Sequence, residues 1–192
     1  MAVFPVFLKL EGRRVLVVGG GPVAAGKLRA LIDADAAVTV VAPRIVDEIV
    51  EIAAKTGQIT IIQRRFEPPD LEDVWYVVAA APPEVNRAVA RAAEARNLFV
   101  NAVDDLESAS AYAGAIVQKA GVTIALSTDG EAPALAGLLR EALETVLPDD
   151  LDQWMARARE VRREWLADRV PMAERRPLLL EALNALYEVK AR

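Results

Sequence analysis

The sequence predicts an α/β chain. A Rossmann-type parallel sheet covers about residues 1–113, and a short β segment and a helical tail follow. Three observations carry this. The β-branched run Val15-Leu16-Val17-Val18 feeds directly into Gly19-Gly20-Gly21, and a helical pattern follows with Leu28, Leu31 and Ile32 at helical spacing. Apolar runs then alternate with helical stretches as far as Asn101, the pattern of strands covered on both faces. Beyond residue 113 the alternation stops, and from Leu151 onward only helical periodicity remains.

Taken in order, Phe4–Leu10 reads as a short strand before a turn at Glu11-Gly12-Arg13. Val15–Val18 is the first core strand, and the helix after it runs from Ala24 to Ala34. Ala37–Val41 is the second strand, ended by Pro43; Ile45–Thr56 is a helix with Gly57 at its stop. Ile59–Ile62 and Trp75–Ala80 are the third and fourth strands. Pro83 opens an Ala-rich helix to about Arg96, and Leu98–Asn101 is the fifth strand. Ala113–Gln118 and Val122–Ser127 read as two strands joined by a turn at Ala120-Gly121. Pro133 starts a helix with Leu135, Leu138, Leu139, Leu143 and Val146 on one stripe, broken at Pro148. One further helix runs to about Leu166 and another covers Ala173–Val189.

Composition narrows the chemistry. With 192 residues, 54% of them hydrophobic, the chain can bury a sizeable core without staples. It contains no cysteine and no histidine, so thiolate nucleophiles, disulfides, the commonest general base and the commonest transition-metal ligand are all excluded. Acid–base work falls to carboxylates, Lys, Tyr or water, and any metal would be held by oxygen ligands or mostly by its substrate. No metal-ligating residues are expected. A net charge of -5 argues against nucleic acid as a partner while leaving room for a local basic pocket. No apolar run reaches membrane-span length and no signal-peptide pattern opens the chain, so a cytoplasmic protein without membrane association is expected.

Four stretches could carry chemistry. In the glycine corner, Gly19 allows the tight turn and Gly21 lets the backbone approach a pyrophosphate. Ala24 stands where a third glycine usually lets helix pack on strand, and Pro22 sits in the first helical turn, where its missing N–H is not needed. The free N–H groups of that turn and the helix dipole favour an anion. The same corner is compatible with a non-catalytic dinucleotide-binding regulatory module. At the end of the second strand the usual acid is absent; Val41-Ala42-Pro43-Arg44 stands there, and Arg44 could face a 2′-phosphate, lie along an adenine or point to water. Asn101-Ala102-Val103-Asp104-Asp105 follows the fifth strand, at the edge where open α/β sheets bind ligands. A carboxylate there can accept a proton, with partial burial near Val103 raising its pKa; alternatively Asp104 or Asp105 caps a turn. Ser127-Thr128-Asp129-Gly130-Glu131-Ala132-Pro133 offers hydroxyls and N–H groups to an acidic ligand, or is a helix cap with Glu131 in the first turn. Arg157, Arg159, Arg162, Arg163, Arg175 and Arg176 form a basic tail that could bind substrate carboxylates or pair with Glu160 and Glu164.

These pieces together resemble the precorrin-2 dehydrogenase/sirohydrochlorin ferrochelatase family, including the N-terminal module of siroheme synthase. The likeness runs from Phe4-Pro5-Val6-Phe7 through Val17–Ala24 and Lys27, Val85-Asn86, Asn101-Ala102-Val103-Asp104 and Ala109-Ser110. It continues through Ile124–Thr128 and Pro133–Ala136 to Leu139-Arg140. The resemblance implies oxidation of precorrin-2, an acidic tetrapyrrole, to sirohydrochlorin with NAD as hydride acceptor. In some members insertion of Fe²⁺, a substrate, follows to give siroheme. It implies Asp104 as the catalytic carboxylate and cofactor contacts at Gly19, Gly21, Pro22, Val23, Pro43 and Arg44. Substrate contacts fall on Asn101, Ser127 and Thr128, and Thr128 matches a serine phosphorylated in some members. It also implies a homodimer, with an NAD-binding Rossmann domain over 1–113, a dimerisation segment over 114–146 and an α-helical C-terminal domain over 147–192. The chain departs from the family pattern at Asp129, where a glycine is common, at Gly26, and at Tyr112–Ala115, where a proline is common.

Overall fold

The computed structural model describes residues 3–190, with side chains through Tyr187. The chain divides into two compact units, Met1–Ala113 and Gly114–Arg192.

The first unit is a five-stranded sheet in the order β3-β2-β1-β4-β5, parallel throughout. Its strands are β1 (Arg14–Val18), β2 (Ala37–Val41), β3 (Ile59–Ile62), β4 (Tyr76–Ala79) and β5 (Phe99–Ala102). The helices α1 (Pro22–Asp33), α2 (Asp47–Thr56) and α3 (Pro83–Glu94) connect them. Strand periodicity sorts the core. Val15 and Val17 of β1 pack in one cluster with Leu28 of α1 and Ile49 of α2. Leu16 and Val18, pointing the other way, pack in a second cluster with Val89 of α3 and Val77 of β4. The continuous apolar run in β1 is thus explained: both of its faces are buried. Because β1, β2 and β3 progress to one side and β4 and β5 to the other, the order reverses between β1 and β4. Open sheets of this kind bind ligands outside the carboxyl ends of the strands at that reversal.

The return from β3 to β4 is held by charge. Arg64 donates to both carboxylate oxygens of Asp70, at 2.8 and 2.5 Å, and Asp70 also accepts the Glu67 N–H at 2.9 Å. Asp70 sits in a 3-10 turn, Pro68–Leu71, whose Leu71 is buried against the second cluster. The Asp70 side chain is 7% exposed. The Arg64 guanidinium, aided by the Glu67 N–H, holds its carboxyl below the usual carboxylate range.

Several element limits differ from the sequence reading. Phe4–Leu10 forms no strand: Phe4 is 87% exposed and only Leu10 is buried. Pro5 lacks a ladder donor, and both sides of β1 are already taken by β2 and β4. The helix α2 starts at Asp47 rather than Ile45, because Val46 stays extended and donates its N–H to the Gly20 carbonyl at 2.9 Å. It stops where expected, with Gly57 left-handed at φ 67°. Trp75 lies outside β4; its N–H reaches the Arg14 carbonyl and Arg13 stacks over its ring at 3.8 Å.

The second unit begins with the antiparallel hairpin β6 (Ala115–Lys119) and β7 (Val122–Leu126). Ala120 and Gly121 both have positive φ, 51° and 81°, the conformation a two-residue hairpin turn prefers. The helices α4 (Pro133–Val146), α5 (Leu151–Ala167) and α6 (Met172–Lys190) follow. Trp154 of α5 donates to the Tyr187 hydroxyl of α6 at 2.6 Å, and their rings meet edge-on with centroids 6.4 Å apart. Of the apolar residues of α4, only Ala136 is buried; Leu135, Leu138, Leu139 and Val146 are exposed. Among the described residues, no helix is long and apolar enough to cross a membrane.

Asp70→Ala should destabilise the chain by about 2 kcal/mol at pH 7, the scale of hydrogen bonds to a charged group. The folded-state pKa of Asp70 is depressed, so its contribution is complete above the unfolded value and declines as pH falls through the folded one. Urea melts of parent and variant should therefore converge as pH falls through the acid range below the ordinary carboxylate value; a difference unchanged across that range would show that the ion pair is not the cause.

Candidate functional site

Three corners meet the carboxyl edge of the first unit's sheet. The first is the glycine turn after β1. Gly19 has φ 133°, and a Cβ there would overlap the Ala80 carbonyl oxygen at the end of β4. A Cβ on Gly20 would overlap the Arg44 carbonyl oxygen after β2. The first two glycines therefore let the three strand exits close on one another. Gly21 differs: it is extended, it caps α1, and nothing lies within 4 Å of where its Cβ would be. The first turn of α1 carries no acid and receives no side-chain cap, while Pro22 occupies its first position. Val23 is exposed and Ala24 is fully buried against the sheet. A helix N-terminus that is open, uncapped and free of acids suits the pyrophosphate of a dinucleotide.

The second corner follows β2. Ala42 is buried, whereas Pro43 and Arg44 are exposed. Gln63 donates to the Pro43 carbonyl at 3.4 Å. No carboxylate ends the strand; the nearest in sequence, Asp47 and Glu48, lie in the first turn of α2.

The third corner follows β5. Val103 donates its N–H to the Ala79 carbonyl at 2.9 Å, bringing this loop beside the exit of β4. Asp104 comes next, exposed and left-handed at φ 57°. It lines a cavity of about 410 Å³ with Ala81, Pro83, Asn86, Arg87 and Val103. The partial burial expected for Asp104 is not found: the chain turns it outward two residues after the buried Ala102. The two neighbouring acids have different roles. Asp105 accepts the Ser108 N–H at 3.1 Å. The hydrogen bonds from Ser108, together with the charge of Arg87, hold its carboxyl below the usual range. Asp105 is thus the turn-capping residue, whereas Asp104 stays exposed.

Asn101 is 7% exposed, and its amide donates to the Ala111 carbonyl at 3.1 Å. It holds the loop that runs from Asp104 to Ala111. Ser110 and Ala111 also donate to the Val100 carbonyl, and Ser110 accepts the Val100 N–H, so this loop covers the edge of β5. A larger concavity of about 690 Å³ runs along α3 and the beginning of β5, past Arg91 and Phe99. It contains neither Asp104 nor any glycine-corner residue, so its size does not make it the site.

Ser127 and Thr128 belong to the second unit. Ser127 Oγ accepts the Asp129 N–H at 3.0 Å and Thr128 Oγ1 accepts the Ala132 N–H at 3.2 Å. Asp129 and Gly130 are both left-handed, so the position where a glycine is common does require that conformation. Ala132, rather than a hydroxyl residue, caps α4, and Glu131 falls outside its first turn. The turn is therefore closed by its own hydroxyls and does not cap the helix. In the basic tail, Arg157 pairs with Glu160 at 2.6 Å, and Arg175 donates twice to the Val170 carbonyl. No group of three or more metal-ligating side chains occurs among the described residues. The structural roles of Gly20, Asn86 and the Arg64–Asp70 pair were not read from the sequence. The middle glycine, which the G-x-G spacing does not require, was the visible signal for Gly20, and an asparagine on an Ala-rich apolar helix face was the signal for Asn86.

Comparison with known proteins agrees with this geometry. Residues 6–115 match a family described as "Putative NAD(P)-binding". The chain is 41% identical over 186 residues to siroheme synthase 3 of Aeromonas hydrophila subsp. hydrophila, covering 96% of this chain and 40% of that protein. It is 45% identical over 150 residues to a siroheme synthase of Xylella fastidiosa (strain M12), covering 77% of this chain and 31% of the relative. A solved structure of SirC, a precorrin-2 dehydrogenase, superposes with a TM-score of 0.74 at 29% identity, over 93% of this chain and 88% of that one. The chain spans two fifths or less of the length of these siroheme synthases.

Gly21→Asp and Gly19→Ala should separate ligand binding from folding. Gly21 has backbone angles and space that accept a side chain, so Gly21→Asp should melt within about 2 °C of the parent while weakening NAD(P)H binding at least tenfold, on the order of 1.4 kcal/mol. Gly19→Ala should instead lower the melting temperature, because its Cβ collides with backbone. Fluorescence titration with NAD(P)H and thermal melts read the two effects; unchanged affinity in Gly21→Asp would remove the coenzyme from this corner.

Proposed function

We propose, since this chain belongs to the NAD(P)-binding family and corresponds to the N-terminal module of siroheme synthases, that it oxidises precorrin-2 to sirohydrochlorin with NAD as the acceptor. The observation that carries the reading is the placement of Asp104. It lines a cavity at the same sheet edge as an uncapped, acid-free helix N-terminus, and its neighbour Asp105 is engaged elsewhere.

Oxidation removes two hydrogens from the macrocycle, one as hydride and one as a proton. A bound nicotinamide coenzyme supplies the hydride acceptor. Gly19, Gly21, Pro22 and Val23 would hold its pyrophosphate side, with Pro43 and Arg44 flanking the adenosine end. NAD is the coenzyme we assign. The chain's own step is proton acceptance: Asp104 Oδ takes the proton released as the new double bond forms. An exposed carboxylate serves here because the chain offers no histidine.

Asn101 contributes through the loop it holds, and Ser127 and Thr128 would present hydroxyls to the acetate and propionate groups of the substrate. We assign 114–146 as a dimerisation segment and 147–192 as a helical C-terminal domain. The exposed stripe Leu135, Leu138, Leu139 and Val146 on α4 supports a homodimer that covers it. Insertion of Fe²⁺ into sirohydrochlorin would use the same cavity, with the two displaced pyrrole protons leaving by way of Asp104. The work is placed in the cytoplasm.

Asp104→Asn should cut precorrin-2 oxidation by at least 100-fold, roughly 2.7 kcal/mol in transition-state stabilisation. NADH binding should stay within twofold. Assays with NAD and NADP side by side give the coenzyme, and adding Fe²⁺ to sirohydrochlorin gives the chelatase rate over the uncatalysed one. Near-parental turnover in a folded Asp104→Asn protein refutes the role of this carboxylate. Sedimentation should show a dimer at micromolar concentration; a monomer there would remove the dimer.

A further inference from the structure

Asn86 takes no part in the chemistry proposed so far, yet it is 2% exposed, and Asn86 and Asn101 are the two buried polar side chains among the described residues. A leucine would fill the same volume without needing partners, so a buried amide at this place has to be using its hydrogen bonds. It uses both ends. Oδ1 accepts the Ala81 N–H at 3.0 Å, and Nδ2 donates to the Val103 carbonyl across a long 3.5 Å. These two backbone groups lie at different corners of the site. Ala81 follows Ala80, whose carbonyl oxygen abuts Gly19. Val103 immediately precedes Asp104, which holds the left-handed φ of 57° that side chains other than glycine seldom adopt. Asn86 and Asp104 line the same cavity.

We infer that Asn86 is a positioning residue: its amide ties the loop carrying Asp104 to the exit of β4 beside the glycine corner, and so sets the Asp104 carboxylate relative to the coenzyme corner. The inference rests on the role given to Asp104 above. A purely structural tie would affect melting and coenzyme binding along with turnover; a positioning tie acts on the chemical step.

The test uses the full chain with Asn86→Leu, Asn86→Asp and Asp104→Asn, assayed on precorrin-2 with NAD, with NADH titration and thermal melts alongside. Asn86→Leu should lower kcat at least tenfold while KM for NAD and NADH affinity stay within threefold. Asn86→Asp supplies a second readout that does not depend on how well the leucine variant folds. Its protonated acid can accept from Ala81 and donate to Val103, whereas its ionised form cannot donate. The ionised form also adds a charge to a cavity whose charged lining is Arg87, Asp104, Asp105 and Glu107. The ratio of variant to parent kcat should therefore fall at least tenfold as pH rises through the acid's titration range, which burial raises. The inference is overturned by an Asn86→Leu kcat within twofold of the parent, by an Asn86→Asp profile parallel to the parent's, or by kcat and NADH affinity falling together. A parent chain inactive on precorrin-2, or an active Asp104→Asn protein, overturns the functional reading itself. An active parent with inactive Asp104→Asn and fully active Asn86→Leu overturns the inference alone.

Discussion

The missing side chain at Gly19 is the constraint on which the rest of the sheet edge depends. With no Cβ, the exit of β1 closes against the Ala80 carbonyl after β4, at the place where the strand order reverses. That contact sets where α1 begins, and so where its open N-terminus sits. Gly20 makes a second apposition of the same kind, against the Arg44 carbonyl, and its own carbonyl accepts the Val46 N–H. Two backbone-on-backbone contacts thus fix three strand exits, and a side chain at either position would push them apart. Gly21 makes no such contact: the space where its Cβ would lie is open.

The chain has no histidine, and the structure separates the two aspartates that stand together after β5. Asp105 is committed to Ser108 and closes the turn. Asp104 follows a buried strand end and reaches the cavity from a left-handed backbone. The difference arises from local hydrogen bonding, since the two side chains are identical in kind. Asn86 and Asn101 form the frame around this loop: one holds its beginning through Val103, the other its end through Ala111.

The second unit follows a different logic. Its hairpin and helices bury few large side chains, and the apolar side of α4 lies open in the single chain. A stripe of that kind is usually covered in a working assembly. The chain spans two fifths or less of the length of the siroheme synthases it matches.

Strand and helix order was legible in the sequence, because a buried parallel strand needs a continuous apolar run and an amphipathic helix needs a 3.6-residue period. The glycine corner and the stop at Gly57 were legible for the same reason: both depend on backbone sterics within a few residues. The strand expected at Phe4–Leu10 did not form; Pro5 lacks a donor for a ladder, and whether a pairing partner is available cannot be read from a local pattern. The helix cap expected before α4 failed because Ser127 and Thr128 closed their own turn first. By itself, then, the sequence determined the fold class, the glycine corner and the absence of histidine. Only the tertiary structure decided which aspartate stays exposed, which glycine has open space where a Cβ would lie and what the buried asparagines hold. Those outcomes turn on contacts between residues far apart in the chain, and no local pattern records them.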